Sequence, residues 1–460
     1  MSRCETKERS QTRNGWITEL LVQNKKLVIG IGLGATLILV IAAAPKIIGL
    51  SLRDNTVDTL FSLIPLETRQ QLTITKTSFE DGWYSSSAEF QVDFTPIALD
   101  ETLSGSLAFE FSHGPVILTP EGMEFGLARA TIKPRFASKK ITKALTQVPF
   151  ELPEVTFELF AGFDQSMLLE LTIAPVNITK PEASVSFEGL TGTLLANPNM
   201  SAEFQMMMGG LRATESKSGM GLELASMQLA SSSEQMNNLF APSDLLLSIS
   251  SISSQNPLRI SLEGVEAQSR VRPGTDAQRQ IDVYQRFNIN NINSDTPIRS
   301  LSWTTEINEL QTAMVSAYFD LIATFQQQMA AGTGAIPSEE DSLELALLMA
   351  QNGLVFKNQV AANIYEGDNL ADIKVRWAGL PQLQSMEEIE MSEVIAALEV
   401  EINVSLDMEA INRSPAAGMV DPYIQQGYIS IDNGRLLLDI SLANSELTIN
   451  GEVTPLDQFL

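Results

Sequence analysis

Apolar and polar side chains alternate along most of this chain. In "AEFQVDF", Phe90, Val92 and Phe94 point one way while Glu89, Gln91 and Asp93 point the other. The same period of two recurs in "SLAFEFS", "MLLELTI", "SAEFQMMM", "LLLSISSI", "LEVEINVSLDM" and "GYISIDNGRLLLDISL". Strict alternation with a polar opposite face predicts antiparallel sheet covered on one side only. Asn433-Gly434 reads as a two-residue hairpin turn, and Asn450-Gly451 as a second.

Two stretches follow a helical period instead. Ile307, Leu310, Met314, Ala317, Leu321 and Phe325 are spaced three and four apart. Ser338 followed by Glu339, Glu340 and Asp341 is a capped, acidic helix start, and Gly353 is a fitting stop. The chain therefore divides into a basic N-terminus 1–26, an apolar run 27–44, a β-rich region 45–300, a helical pair 301–353 and a second β-rich region 354–460. The expected fold is mainly β: a long, twisted, amphipathic antiparallel sheet with an inserted helical pair. "PLETRQQL" before the first strand predicts a short amphipathic helix. "SFEG" at 186–189 returns as "SLEG" at 261–264, which leaves open a duplicated sheet unit or a chance echo.

Residues 27–44, "LVIGIGLGATLILVIAAA", carry no charge. Eighteen helical residues rise about 27 Å, close to the thickness of a bilayer's hydrocarbon core. Lys25 and Lys26 flank the start, so the positive-inside rule keeps the N-terminus cytoplasmic and exports the rest. Ala42-Ala43-Ala44 resembles a signal-peptidase site, but the run is long for a signal peptide and Pro45 would follow the scissile bond. An uncleaved single-pass anchor is the expectation. Gly30 and Gly34 have the small-xxx-small spacing of a helix-dimer face, which makes a homodimer a candidate state.

Charge narrows the partners. Six basic residues face three acidic ones up to Lys26, while the whole chain carries a formal −26. An exported surface that acidic repels phosphates, so no nucleic-acid partner is expected. The lone Cys4 precedes any folded region and permits no internal disulfide.

A combination of motifs carries a family resemblance. A lysine-flanked span is followed by "SFEDGWYSSSAEFQVDF", then "FSHGPV", and the chain closes on "YIQQGYISIDNGRLLLDISLANSELTINGEVTPL". This resembles the YdgA-like family of bacterial proteins. The resemblance implies a Gram-negative inner-membrane anchor with the bulk of the chain in the periplasm, and it implies no activity. Its motif positions here are Gly82, Trp83, Ser86, His113, Gly114, Pro115, Gly427, Asn450 and Gly451.

His113 is the only histidine. General acid–base work needs a partner and a nucleophile or water, and no G-x-S-x-G elbow, HExxH or Cys/His cluster accompanies it. The expected role is to hold a turn by donating a ring N–H to a backbone carbonyl, with Gly114 supplying a left-handed φ and Pro115 stiffening the backbone after it. Trp83 and Tyr84 are expected to pack as a lid on the sheet, and Met206, Met207 and Met208 to fill core. No catalytic, metal or cofactor site emerges from the residues, and no enzyme is expected. The leading reading is an envelope binding or scaffold module, with lipid acyl chains held on the amphipathic sheet as its sharper form. Recognition of a partner protein through the helical pair 305–352 is the alternative, and a hydrolase built on clustered carboxylates is a third.

Overall fold

The computed structural model describes residues 44–46, 48–54, 57, 69, 72–95, 102–120, 122–136, 153–181, 183–216, 218–256, 259–295, 297–330 and 339–455. The apolar run 27–44 apart from Ala44, with Gly30 and Gly34, lies outside the described residues, as do Cys4 and most of "PLETRQQL". Among the described residues no helix is long and apolar enough to cross a membrane.

More than half of what is described is strand. In chain order these are β1 (Leu72–Asp81), β2 (Ser85–Phe94), β3 (Leu103–His113), β4 (Val116–Thr119), β5 (Gly122–Phe125), β6 (Ala128–Phe136), β7 (Val155–Ala161), β8 (Met167–Ile173) and β9 (Val176–Thr179). Next come β10 (Ala183–Phe187), β11 (Leu190–Ala196), β12 (Ala202–Met208), β13 (Leu211–Glu215), β14 (Gly221–Leu224), β15 (Met227–Ser233), β16 (Ser243–Gln255), β17 (Ile260–Pro273), β18 (Gln280–Ser294) and β19 (Ile298–Gln311). The C-terminal set is β20 (Leu354–Ile364), β21 (Gly367–Trp377), β22 (Leu398–Asp407), β23 (Ser430–Asp432), β24 (Arg435–Ala443), β25 (Glu446–Ile449) and β26 (Glu452–Thr454).

Apart from the separate β4–β5 ribbon, all of them join one antiparallel sheet. The order is a meander, each row pairing with the row before it in the chain, from β1–β2–β3–β6–β7 through to β24–β25–β26. In the middle, β8 and β9 run end to end as one row, as do β10 with β11, β12 with β13 and β14 with β15.

The breaks inside these rows line up. They fall at Ala174-Pro175, Glu188-Gly189, Gly209-Gly210 and Ala225-Ser226, and continue as Ser250, Gly264 and Asn290 in β16, β17 and β18. Glu188 N donates to Gly210 O, Gly209 N to Gly189 O, and Ser250 N to Ser226 O, so the breaks are bonded side by side. Each shifts the alternation by one residue, and apolar side chains on both sides of it stay on one face. Ile252, Leu262 and Ile292 on one side pack with Ile249, Val265 and Ile289 on the other. The pairing resumes in the same register on either side, so each row flips its pleat here without gaining a residue. Gly189 and Gly264 sit here with φ of 99° and 61°. The echo of "SFEG" in "SLEG" is thus the same device used twice, a glutamate followed by a glycine that turns the row.

The two expected turns are present: Asn433 and Gly434 have φ of 46° and 77°, Asn450 and Gly451 of 49° and 82°, the left-handed pairs of a two-residue hairpin. The helical pair is α1 (Thr312–Ala330) and α2 (Glu339–Gln351). Its expected start at 301 is corrected, since residues up to Gln311 belong to β19. Ile307 and Leu310 share a face three residues apart because Glu309 (φ 62°) makes a bulge, its N–H bonded to the Asp282 carboxylate. A bulged strand imitated a helical period. The pair does not divide the sheet either: β19 and β20 are direct neighbours, so the two β-rich regions are one sheet with the helices inserted at its end. Three short helices inside the expected C-terminal β-region were not anticipated: α3 (Met391–Ala397), α4 (Met408–Arg413) and α5 (Ala417–Gln425).

Candidate functional site: the apolar face of the sheet

Register turns the alternation into a surface. Leu229, Leu247, Ala267, Phe287, Trp303, Val360 and Ala371 stand opposite one another across seven strands, β15 to β21. The next row is Met227, Ile249, Val265, Ile289, Leu301 and Ala362. On the reverse face the same strands carry Gln268, Arg286, Thr304, Gln359 and Asp372 in register. Ion pairs Arg272–Asp244, Lys357–Glu306 and Lys374–Glu401 cross that reverse face.

At its N-terminal end the apolar face is covered. Phe90, Phe109, Phe111 and Ile132 are buried, with Leu52 and Val57 of the preceding segment packed over them. Phe90 meets Phe109 edge to face at 5.1 Å, and Phe111 stacks on Phe109 at 5.4 Å. In the middle, among the described residues, the face is more open. Leu229, Leu247, Ala267 and Phe287 are only half-buried, Leu245 and Val360 are exposed, and Trp303 is 49% exposed. The buried trio Val265, Ile289 and Ile292 packs against neighbours on β16 to β19.

A depression of about 290 Å³ lies here. Leu245, Ala267, Phe287 and Trp303 give it apolar walls, and Ser269, Gln285 and Thr305 line one side. The Trp303 indole N–H is satisfied by Asn358 Oδ1 at 2.9 Å. Enclosed small-molecule sites start near this volume; an open hollow of that size on a longer apolar strip suits an extended ligand better than a compact one.

The motif residues gather in two places away from this hollow. His113 is buried at the end of β3, with Nε2 2.9 Å from Ser86 Oγ and Nδ1 3.3 Å from Trp83 O. With Nδ1–H donating to the carbonyl, Nε2 accepts from the serine, and both ring nitrogens are satisfied in the neutral form. Burial pushes the imidazole pKa down, against the Trp83 carbonyl hydrogen bond and the Asp81 charge that pull it up. Gly49 lies against the ring: a Cβ there would come within 2.4 Å of Cε1. Gly82 closes the β1–β2 turn by donating to Ser85 O. Gly114 is glycine for a reason other than a left-handed φ, which it does not have: a Cβ would meet Gly126 O at 1.7 Å, where two backbones cross. The Gly114–Pro115 bond is cis. Trp83 and Tyr84 do not form a lid; they are 53% and 64% exposed. Of the methionines, Met206 and Met208 share the apolar face, while Met207 projects from the polar side and is exposed.

The second gathering is C-terminal. Gly427 (φ 81°) ends α5, with Tyr428 N bonded back to Tyr423 O and Gly427 N to Ile424 O. Asn450 Nδ2 donates to Gly427 O and its Oδ1 accepts from Asp439 N, tying the α5 end to the final turn at Gly451. Among the described residues no group of three or more His, Cys, Asp or Glu is placed to hold a metal.

A family model for bacterial proteins of unknown function, DUF945, matches residues 24–457. The chain belongs to DUF945. No curated protein and no solved structure matches it. The DUF945 match takes in the His113 corner, the apolar face and the Asn450 clamp together, and brings no activity with it. Alternation within single strands was readable, but the residues that make the hollow were not singled out; writing successive strands in hairpin register would have put Phe287 beside Trp303.

Proposed function

We propose that this DUF945 chain is a non-catalytic binding module that holds lipid acyl chains across the apolar face of its sheet, tethered to the bacterial inner membrane by residues 27–44 with its bulk in the periplasm. The observation that carries the reading is the continuous apolar strip whose middle rows are half-exposed. A face meant to be a closed core buries such side chains; each methylene moved from water into apolar contact contributes up to about 0.8 kcal/mol, so a lipid chain lying across several strands gains what a second protein layer would supply. The polar reverse face with its cross-strand ion pairs suits water.

The Ser86–His113 pair favours a structural reading over hydrolysis. Its outer nitrogen is held by a peptide carbonyl and not by the buried carboxylate of a triad, and burial outweighs the carbonyl and the Asp81 charge to disfavour an imidazolium. The YdgA-like resemblance agrees with an anchored periplasmic protein and adds no chemistry. Native mass spectrometry of residues 47–460, released from periplasm without detergent, tests the proposal. A co-purifying phospholipid or fatty-acid mass that is lost in Ala267→Glu is the expected result. A bare polypeptide mass removes lipid holding, and the apolar strip then becomes a protein-docking surface.

A further inference from the structure

The β4–β5 ribbon is built inside out. Its register pairs Val116 with Phe125, Ile117 with Glu124 and Leu118 with Met123. One side therefore holds Val116, Leu118, Met123 and Phe125, and all four are exposed, Leu118 at 76%. The other side holds buried Ile117 and the Glu124 carboxylate, which is ion-paired to Arg129 and so turned toward the protein. A ribbon in water places its charge outward and its apolar residues inward; this one does the reverse. Trp83, Tyr84 and Phe163, each more than half exposed, sit in turns at the same end of the sheet. His113 N donates to Tyr84 O, and Leu127 N to Ala161 O, which ties those turns to the ribbon's base.

The chain's entry point lies at this end too. Lys46 Nζ is 2.5 Å from Asp81 Oδ2, beside the Gly82 turn, and Gly49 rests on His113. From there the segment runs down the sheet, with the Arg53 carbonyl bonded to Lys76 Nζ. Ala44, the last residue of the apolar run, is thus held within a few residues of the exposed cluster.

We infer that the ribbon and the Trp83–Tyr84 turn form a docking tip that inserts into the outer interface of the same bilayer the apolar run spans. The inference rests on the anchored reading proposed above. Aromatic side chains with a polar handle suit the headgroup level, and aliphatic ones the acyl boundary just below it. Insertion adds a second contact beside the span and fixes the N-terminal end of the sheet against the membrane surface, where the apolar face can receive a chain leaving the bilayer. A partner protein is the less fitting occupant, because the cluster adjoins the point where the chain leaves the hydrocarbon.

The test uses the full chain with Cys4→Ser, reconstituted in phosphatidylethanolamine–phosphatidylglycerol vesicles. Single cysteines carry an environment-sensitive fluorophore at Leu118, at Leu37 in the apolar run, and at Met220 in an exposed turn at the opposite end of the sheet. Lipids with a quencher just below the headgroup are then added. The expected result is quenching at Leu118 and none at Met220. Quenching by deep-placed quenchers at Leu37 with none at Leu118 overturns the docking tip and leaves the anchor standing. No quenching at either position overturns the anchor and the tip together. Leu118 is nearly bare of protein contacts, so labelling it leaves the fold intact, and Leu118→Glu with Phe125→Glu should abolish shallow insertion without lowering strand content.

Discussion

His113 is both the sole histidine and one of the few buried polar groups described, so a single imidazole signal reports the state of the N-terminal corner. Its pKa is pushed down by burial, while an unfolded chain binds a proton at the ordinary value of about 6.5. Below that value the unfolded state gains a proton that the folded state refuses, so stability is complete above the ordinary histidine range and falls as pH drops through it toward the depressed folded value. Nitrogen-15 NMR of the labelled ring should show a neutral ring protonated at Nδ1 at pH 7; an imidazolium there would refute the assignment. His113→Ala strands the Ser86 hydroxyl and opens a void under Gly49, costing about 2–4 kcal/mol. Hydrogen exchange in β2 and β3 should speed accordingly. Gly114→Ala is harsher: with Gly126 O in the way the corner cannot close, and a loss above about 4 kcal/mol is expected, read as protease sensitivity of β3 and β6. "SHGPV" announced a turn, but what shapes it was not legible, because Gly49 and Gly126 are brought in by tertiary contacts that no local pattern encodes.

At the scale of elements, the helical pair is an appendage of a sheet that continues past it. β19 and β20 pair from Asn308–Val355 to Ile298–Ile364 without help from α1 or α2. Replacing residues 312–351 by a short Asn-Gly turn should therefore keep the strand signal in circular dichroism. The loop after β21 should loosen, because the Trp377 indole N–H bonds to the Met349 and Ala350 carbonyls and Leu380 N bonds to Ala350 O. Collapse of the strand signal would show that the helices are core. Strands and Asn-Gly turns were legible because they depend on neighbours in sequence. The short helices α3 to α5 were not, being brief and carried by docking; α4, for instance, rests on an Asp407 side-chain cap and on close packing at Gly367. The helical period over 301–311 misled because a bulge adds one residue to a period of two.

At the scale of the whole molecule, the sheet's polarity was legible and its exposure was not. Alternation says that one face is apolar; only the register and the exposure of Leu245, Trp303 and Val360 say that the middle of that face is open. Substituting Gly264 by valine should show how far the row of aligned breaks matters, since its left-handed φ and the Asn290 side chain 2.4 Å from a would-be Cβ both oppose a branched residue. Exchange rates should rise in β16 to β18, while β1 to β3 keep theirs.

The meander has a kinetic meaning as well. Each row bonds to the row made just before it, so no strand waits for a distant part of the chain to arrive. Contact order is low for so large a β protein, and low contact order means fast folding. A chain delivered from its N-terminus can therefore lay down the sheet strand by strand as it emerges, each new hairpin templated on the last exposed edge and covering it in turn.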